Sequence, residues 1–365
     1  MAFIQAILEK LSFYACVAIF LGYLVPHLFL SLFRTKNLKR AYKANWALVT
    51  GSSSGIGLSI AKRLASQGLS VRVEVDRRAH RPGSRLRLRP DPHARSFARS
   101  LARSLARSLV CSFVLQVVLV ALDDQLLEDA FQDLVASFPD VEFRKVGVNL
   151  GSRGYLPTIA KATEDIDVQC CFLNAGYMIT GFFESHDLDK HMANLECNTT
   201  SAVQITHLFL QRLLAKKLKG CFVYTSSAAA AIPSPYSVLY ASTKSFISSF
   251  GASLAAEVRS EGIDVCVVHP SPVATRFYDG AHKLGALEFF KKLAVGPDEL
   301  PDAMFAAIGK VIWRDIGPTA VGFRLLMKVL DYNLFATIIA LTARFTDDFK
   351  KYGRAARTAN DNKVD

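Results

Sequence analysis

A turn with three glycines, set between a strand and a helix, constrains this chain more than any other feature. Trp46-Ala-Leu-Val-Thr50 is a short apolar run without a charge and reads as a buried parallel strand. Gly51-Ser-Ser-Ser-Gly55-Ile-Gly57 follows directly, and Leu58 to Gly68 has helical spacing with a glycine stop. The first glycine permits the tight turn. The later ones let backbone approach a pyrophosphate and let the helix pack onto the strand. Free N–H groups and the positive dipole end at the helix start favour phosphate. The expectation is an α/β fold with a doubly wound parallel sheet and helices on both faces. Gly51, Ser53, Ser54, Gly55, Ile56 and Gly57 would surround a dinucleotide.

The spacing GxxxGxG resembles the short-chain dehydrogenase/reductase family, and that family's other motifs follow in order. Asn174-Ala-Gly176 comes after the mostly apolar run Val168 to Leu173, and Asn198 lies in the helix expected next. Ser227 ends the strand Cys221 to Ser227, thirteen residues before Tyr240-Ala-Ser-Thr-Lys244, which supplies YxxxK. Pro270-Ser-Pro-Val-Ala-Thr275 resembles the stretch that meets the nicotinamide. The resemblance implies a Rossmann-type fold and an NAD(P)(H)-dependent oxidoreductase. It assigns catalysis to Asn198, Ser227, Tyr240 and Lys244. It assigns cofactor contacts, beyond the glycine turn, to Asn149, Asn174, Ala175, Gly176, Tyr240, Lys244, Pro270, Val273 and Thr275. The chain departs from the pattern at Ser271, where a glycine is usual, and at Asn149, where an Asp is common. After the second strand Ala121 stands where NAD-preferring members carry an acid, and Leu122 where NADP-preferring members often carry Arg. Without the acid there is neither an acceptor for a ribose 2′-OH nor a repulsion against a 2′-phosphate, which favours NADP(H) over NAD(H).

Carbonyl reduction needs a hydride donor and a proton donor on one carbonyl. A phenol with an ordinary pKa near 10 is a poor acid–base at neutral pH. Tyr240 and Lys244 are four apart on an expected helix and share a face, so the ammonium is expected to bring the phenol down. Ser227 would donate to the substrate oxygen. Taken singly, each residue has a plainer reading as a cap, a chance spacing or, for Asn198, the start of an Asn-Thr-Thr sequon. The fixed order and spacing select the joint reading.

The chain is basic, with a formal charge of +12, but the excess is local. Eleven Arg against three acids between Val71 and Val110 leave the remainder at +4. This stretch repeats in fours, from Ala94-Arg-Ser-Phe97 to Ala106-Arg-Ser-Leu109. Low complexity of this kind builds no core. Residues 72–117 read as an insertion that splits the second strand beside the adenosine pocket. A disordered basic loop, an amphipathic helix on an anionic surface and translated non-coding sequence all stay open for it. With one aromatic and no recognised module, no nucleic-acid partner is expected. The seven Cys show no metal spacing, so no metal and no disulfide framework are expected.

Leu11 to Phe33 carries no Asp, Glu, Lys or Arg, and as a helix would span about 35 Å. Arg34, Lys36, Lys39, Arg40 and Lys43 follow, which places the later chain on the cytosolic face. The layout is thus a membrane anchor and basic segment over 1–44, a Rossmann domain over 45–317, and an apolar C-terminal helix with a polar tail over 318–365. Phe277 to Val295 falls where the family has its substrate lid. An anchor and an apolar lid imply a lipophilic small molecule. The layout is similar to microsomal very-long-chain 3-oxoacyl-CoA reductases and related 17β-hydroxysteroid dehydrogenases, which implies the endoplasmic reticulum. A 3-ketosphinganine reductase, a catalytically silent cofactor-binding scaffold and a homo-oligomeric assembly stay open.

Overall fold

The computed structural model describes residues 2–68 and 114–353. Seven strands make one sheet: β1 Trp46–Thr50, β2 Gln116–Ala121, β3 Phe143–Gly147, β4 Val168–Leu173, β5 Gly220–Thr225, β6 Ile263–Pro270 and β7 Trp313–Ile316. Their order is β3-β2-β1-β4-β5-β6-β7 and every pairing is parallel. Alternate residues serve two cores. Ala47 and Val49 join Leu64, Leu127 and Phe305 on one face, while Leu48 joins Ile205, Phe209 and Ile247 on the other. Burial of both faces is why these strands read as unbroken apolar runs. The expected doubly wound fold is present. Strand order reverses between β1 and β4, which opens a crevice at their carboxyl ends.

The helices, in chain order, are α1 Ala2–Ile19, α2 Val25–Ser31, α3 Leu38–Tyr42, α4 Gly55–Ala65, α5 Gln125–Ser137, α6 Tyr155–Ala162, α7 Leu188–Leu195, α8 Ser201–Ala215, α9 Val238–Val258, α10 Gly285–Lys291, α11 Leu300–Ala307, α12 Pro318–Val329, α13 Tyr332–Thr342 and α14 Asp347–Tyr352. α1 and α2, joined by a π-turn over Phe20–Leu24, form one apolar helix from Ile4 to Ser31, 28 residues long. It starts before the expected Leu11 because Glu9 and Lys10 are good helix formers that stay exposed on its surface. Its second half touches the domain: Tyr23 Oη donates to Asp315 Oδ2 at 2.8 Å, and Arg314 donates to the His27 carbonyl at 3.1 Å.

Two expectations change. β2 begins at Gln116, so the last four residues of the expected insertion, 114–117, belong to the domain. Leu115 and Val117 are fully buried, and β2 pairs with all of β1. Both flanks were apolar enough to supply the strand, and the sheet takes the carboxyl-side one. The rest, 72–113, lies outside the described residues. Its neighbours Gln67 and Gln116 meet Asn37 and Asn45, which precede β1. They therefore sit at the amino edge of the sheet, opposite the crevice, because α4 carries the chain back against the strand direction. The described residues on either side of that segment thus lie at the end of the sheet away from the crevice. Second, the expected single C-terminal helix is two. Leu330 turns extended, and Asp331 caps α13 by accepting from Leu334 N at 2.9 Å. α12 and α13 meet at 110°.

Candidate active site

The turn after β1 is held open by glycine geometry. Gly51 has φ +65°, and a Cβ there would stand 2.9 Å from Ala175 Cα. A Cβ on Gly57 would overlap the Gly51 carbonyl. Any larger side chain at either position drives α4 away from the strand ends. The bare backbone, the start of α4 and the loop after β4 together wall one end of a cavity of about 910 Å³.

The end of β5 positions the next three groups one residue at a time. The Thr225 carbonyl accepts from Lys244 Nζ at 2.8 Å, and Ser226 Oγ donates to the Lys244 carbonyl at 2.8 Å. Ser227, whose Oγ accepts from Ala229 N at 3.2 Å, lines the same cavity as the Tyr240 phenol. Tyr240 and Lys244 share one face near the start of α9, with Lys244 Nζ 5.8 Å from the Tyr240 ring centre. Phe277 packs on the other side of that ring, 5.5 Å between centres. Asn198 is buried in a π-turn over Glu196–Thr200, a distortion frequent at functional sites. Its amide accepts from Tyr177 N and donates to the Tyr177 carbonyl, both at 2.9 Å, and donates to Thr243 Oγ1 at 3.2 Å.

Burial, not the ammonium, dominates the electrostatics. It pushes the Tyr240 phenol well above its ordinary range, with the nearby Tyr278 adding to the rise and the Ser227 hydroxyl opposing it. It lowers Lys244 to about 8. The expected acidification of Tyr240 by Lys244 is not found: burial sets the direction of the shift, and the ammonium donates to the Thr225 carbonyl. At neutral pH the phenol keeps its proton and Lys244 stays mostly charged.

Of the residues singled out from sequence, Gly51, Ser53, Ser54, Gly55, Ile56, Asn149, Asn174, Ala175, Gly176, Ser227, Tyr240, Lys244, Pro270, Val273 and Thr275 all line the cavity. Gly57 and Asn198 stand behind it, in packing and support. Thr275 lies against Gly55, where a Cβ would come within 3.0 Å of its methyl. Ser271 has a reason of its own: its Oγ accepts from Ala320 N at 3.1 Å in the first turn of α12. Space for that hydroxyl requires Gly317, where a Cβ would stand 2.6 Å away at φ +87°. The adenosine end is walled by Ala121, Leu122 and Leu126, and the acids among the described lining residues, Asp279 and Asp348, lie elsewhere. Sequence reasoning missed part of the lining. Phe290 from α10, Phe323 from α12 and Phe335 and Ile339 from α13 add an apolar stretch to the lining of the same cavity as Tyr240. The lid contributes α10, and Asp348 of α14 ties it down by accepting from Gly285 N at 3.0 Å. Phe290 lies in the lid expected over Phe277 to Val295; for Phe323, Phe335 and Ile339 the sequence signal was the apolar run after Val321, which has no motif.

The sequence matches the family model described as short chain dehydrogenase over residues 45–87 and 96–283. The chain is similar to the very-long-chain 3-oxoacyl-CoA reductase-A of Danio rerio, 26% identical over 63% of this chain and 59% of that protein. It is similar to the 17-beta-hydroxysteroid dehydrogenase type 3 of the same organism, 26% identical over 63% of this chain and 61% of that protein. It thus aligns with about three fifths of the length of each. Among solved structures, a 7beta-hydroxysteroid dehydrogenase superposes with a TM-score of 0.64 at 19% identity, over 84% of this chain and all of that one.

Proposed function

We propose, from the premise that this chain belongs to the short-chain dehydrogenase family, that it reduces a ketone on a lipophilic substrate, best a 3-oxoacyl-CoA of long chain. The observation that carries the reading is one cavity lined by both the Ser227–Tyr240–Lys244 cluster and an apolar stretch. A hydroxysteroid fits the same chemistry, and a relative of that name supports it as the second choice.

The residues present fit a nicotinamide dinucleotide. The glycine turn admits a pyrophosphate against the start of α4, and Asn174 to Gly176 with Pro270 to Thr275 flank the crevice beyond it. Such a cofactor supplies a hydride. The chain's own residues supply the rest. Ser227 donates a hydrogen bond to the substrate oxygen and stabilises charge growing there. Tyr240, kept protonated by burial, gives its proton to that oxygen. Lys244 offers its remaining donors to ribose hydroxyls and its charge to the phenolate left behind. Asn198 holds the loop at Tyr177 and the helix at Thr243, and so fixes the space beside Lys244. The uncharged adenosine end at Ala121 and Leu122 supports NADP(H) over NAD(H). The helix Ile4–Ser31 supports residence in a membrane, and the basic run Arg34 to Lys43 supports the cytosolic side for the domain. The resemblance to microsomal reductases points to the endoplasmic reticulum.

The test gives the full chain a long-chain 3-oxoacyl-CoA with NADPH or NADH and follows the absorbance of the reduced nicotinamide. The parent is expected to turn over, faster with NADPH. Tyr240→Phe should lose about 10²- to 10⁴-fold in kcat at unchanged NADPH affinity. NADPH binding without turnover of any lipid ketone would leave a cofactor-binding scaffold instead.

A further inference from the structure

α13 and the turn after it carry three distinct stripes. Phe335, Ile339, Thr342 and Ala343 line the cavity. Leu334, Ile338, Leu341 and Phe345, spaced four, three and four apart, are 43–65% exposed. Asn333, Thr337 and Arg344 are exposed along a third, polar edge. At about 100° per residue, the exposed apolar stripe lies roughly a quarter-turn from the cavity stripe. A cavity wall whose outer side faced water would carry polar residues at the Leu334 stripe as well. An apolar stripe bordered by a polar one is the pattern of a helix lying in a membrane surface.

Two further observations favour lipid as what covers this stripe. The apolar helix Ile4–Ser31 is exposed, and its second half meets β7 and α12, the helix that joins α13 at the bend. Tyr23 bonds Asp315, which Arg324 of α12 also holds at 3.0 Å, and Lys328 Nζ lies 5.5 Å from the Tyr23 ring. Second, α12 and α13 have 12 and 11 residues, about 18 Å each, too short to cross a bilayer core of about 30 Å. Their 110° bend carries Asp331, which suits headgroup depth and not the hydrocarbon centre. We infer that α13 lies in the surface of the same phospholipid leaflet that holds the N-terminal helix, with Leu334, Ile338, Leu341 and Phe345 inserted. It forms the bilayer-facing wall of the cavity, so that an apolar chain passes from leaflet to Tyr240 around one edge of a helix without meeting water. The insertion stands on its own; what passes rests on the lipid-ketone reading.

The experiment places the full chain in phosphatidylcholine vesicles containing a phospholipid with a diazirine in its acyl chain, irradiates them, and maps the labelled peptides. Label is expected on 334–345 as well as on 4–31. In the double variant Leu341→Glu, Phe345→Glu, label on 334–345 should fall about tenfold, with label on 4–31 unchanged. In the same vesicles the double variant should raise KM for a long-chain 3-oxoacyl ester and leave a short, water-soluble ketone unaffected. Label confined to 4–31 would overturn the inference, as would cross-linking of the 334–345 stripe to a second copy of the chain by an added bifunctional reagent. A parent that is labelled on 334–345 yet turns over neither ketone would refute the proposed function and leave the insertion standing.

Discussion

One wall of the cavity meets its contents with backbone and short polar groups: the glycine turn, Asn174 to Gly176, and the end of β5. Another part of the lining meets them with Phe290, Phe323, Phe335 and Ile339. The first wall is built at strand ends, where the sheet fixes each position to its neighbours through ladder hydrogen bonds. The second is built from α10, which lies in the connection from β6 to β7, and from α12 and α13 after β7; α12 is tied to the strand ends chiefly through Ala320 N to Ser271 and Arg324 to Asp315. Chemistry common to many substrates sits on the rigid side, and choice of substrate on the side that a sequence can vary without unfolding the core.

The comparison can be broken at several points. The largest effect is expected at the polar wall. Ser227→Ala should lower kcat by about 10²- to 10³-fold with little change in KM or in NADPH affinity, read by steady-state kinetics; a loss confined to KM would move Ser227 out of the reacting position.

The seam between the walls should show itself in acid. Burial lowers His269 to about 4, with Asp315 acting upward and Arg324 downward. Its Nε2 pairs with Ser248 Oγ at 2.9 Å. Between the ordinary 6.5 and about 4 the unfolded chain binds a proton that the folded chain refuses. The stability carried by neutral His269 is thus fully present above pH 6.5 and is lost as pH falls to about 4, up to about 3 kcal/mol. Urea unfolding across that range should show the slope, and His269→Gln should flatten it. An unchanged slope would mean that another group carries the acid sensitivity.

A smaller effect is expected where α12 joins the sheet. Gly317→Ala should cost about 1–2 kcal/mol, seen as a lower Tm, and Ser271→Gly in the same chain should restore part of it. Equal losses in the single and double variants would show that the positive φ, and not the Ser271 hydroxyl, sets the requirement.

What the sequence disclosed follows the same division. The glycine turn, Asn174-Ala-Gly176 and YxxxK are local spacings, and a strand–turn–helix converts local spacing directly into geometry. Tyr240 and Lys244 four apart could only share a face. That Lys244 Nζ turns to the Thr225 carbonyl depends on β5, nineteen residues earlier, so the electrostatic consequence was not legible. Ser271 looked like a departure because its partner, Ala320 N, lies 49 residues away. Residues 114–117 were misread because two flanks were equally apolar. The α13 wall was hidden for another reason: its two apolar stripes merge into one featureless hydrophobic run when written as sequence.

The central claim is that a proton-donating Tyr240 and an apolar lining belong to one site. The most direct measurement is kcat/KM of the full chain with NADPH across a series of 3-oxoacyl-CoA chain lengths. A rise of at most about fourfold per added methylene is expected until the apolar lining at Phe335 and Ile339 is filled, with Tyr240→Phe about 10²- to 10⁴-fold slower at every length. A flat or falling series, or a Tyr240→Phe chain as active as its parent, would contradict it.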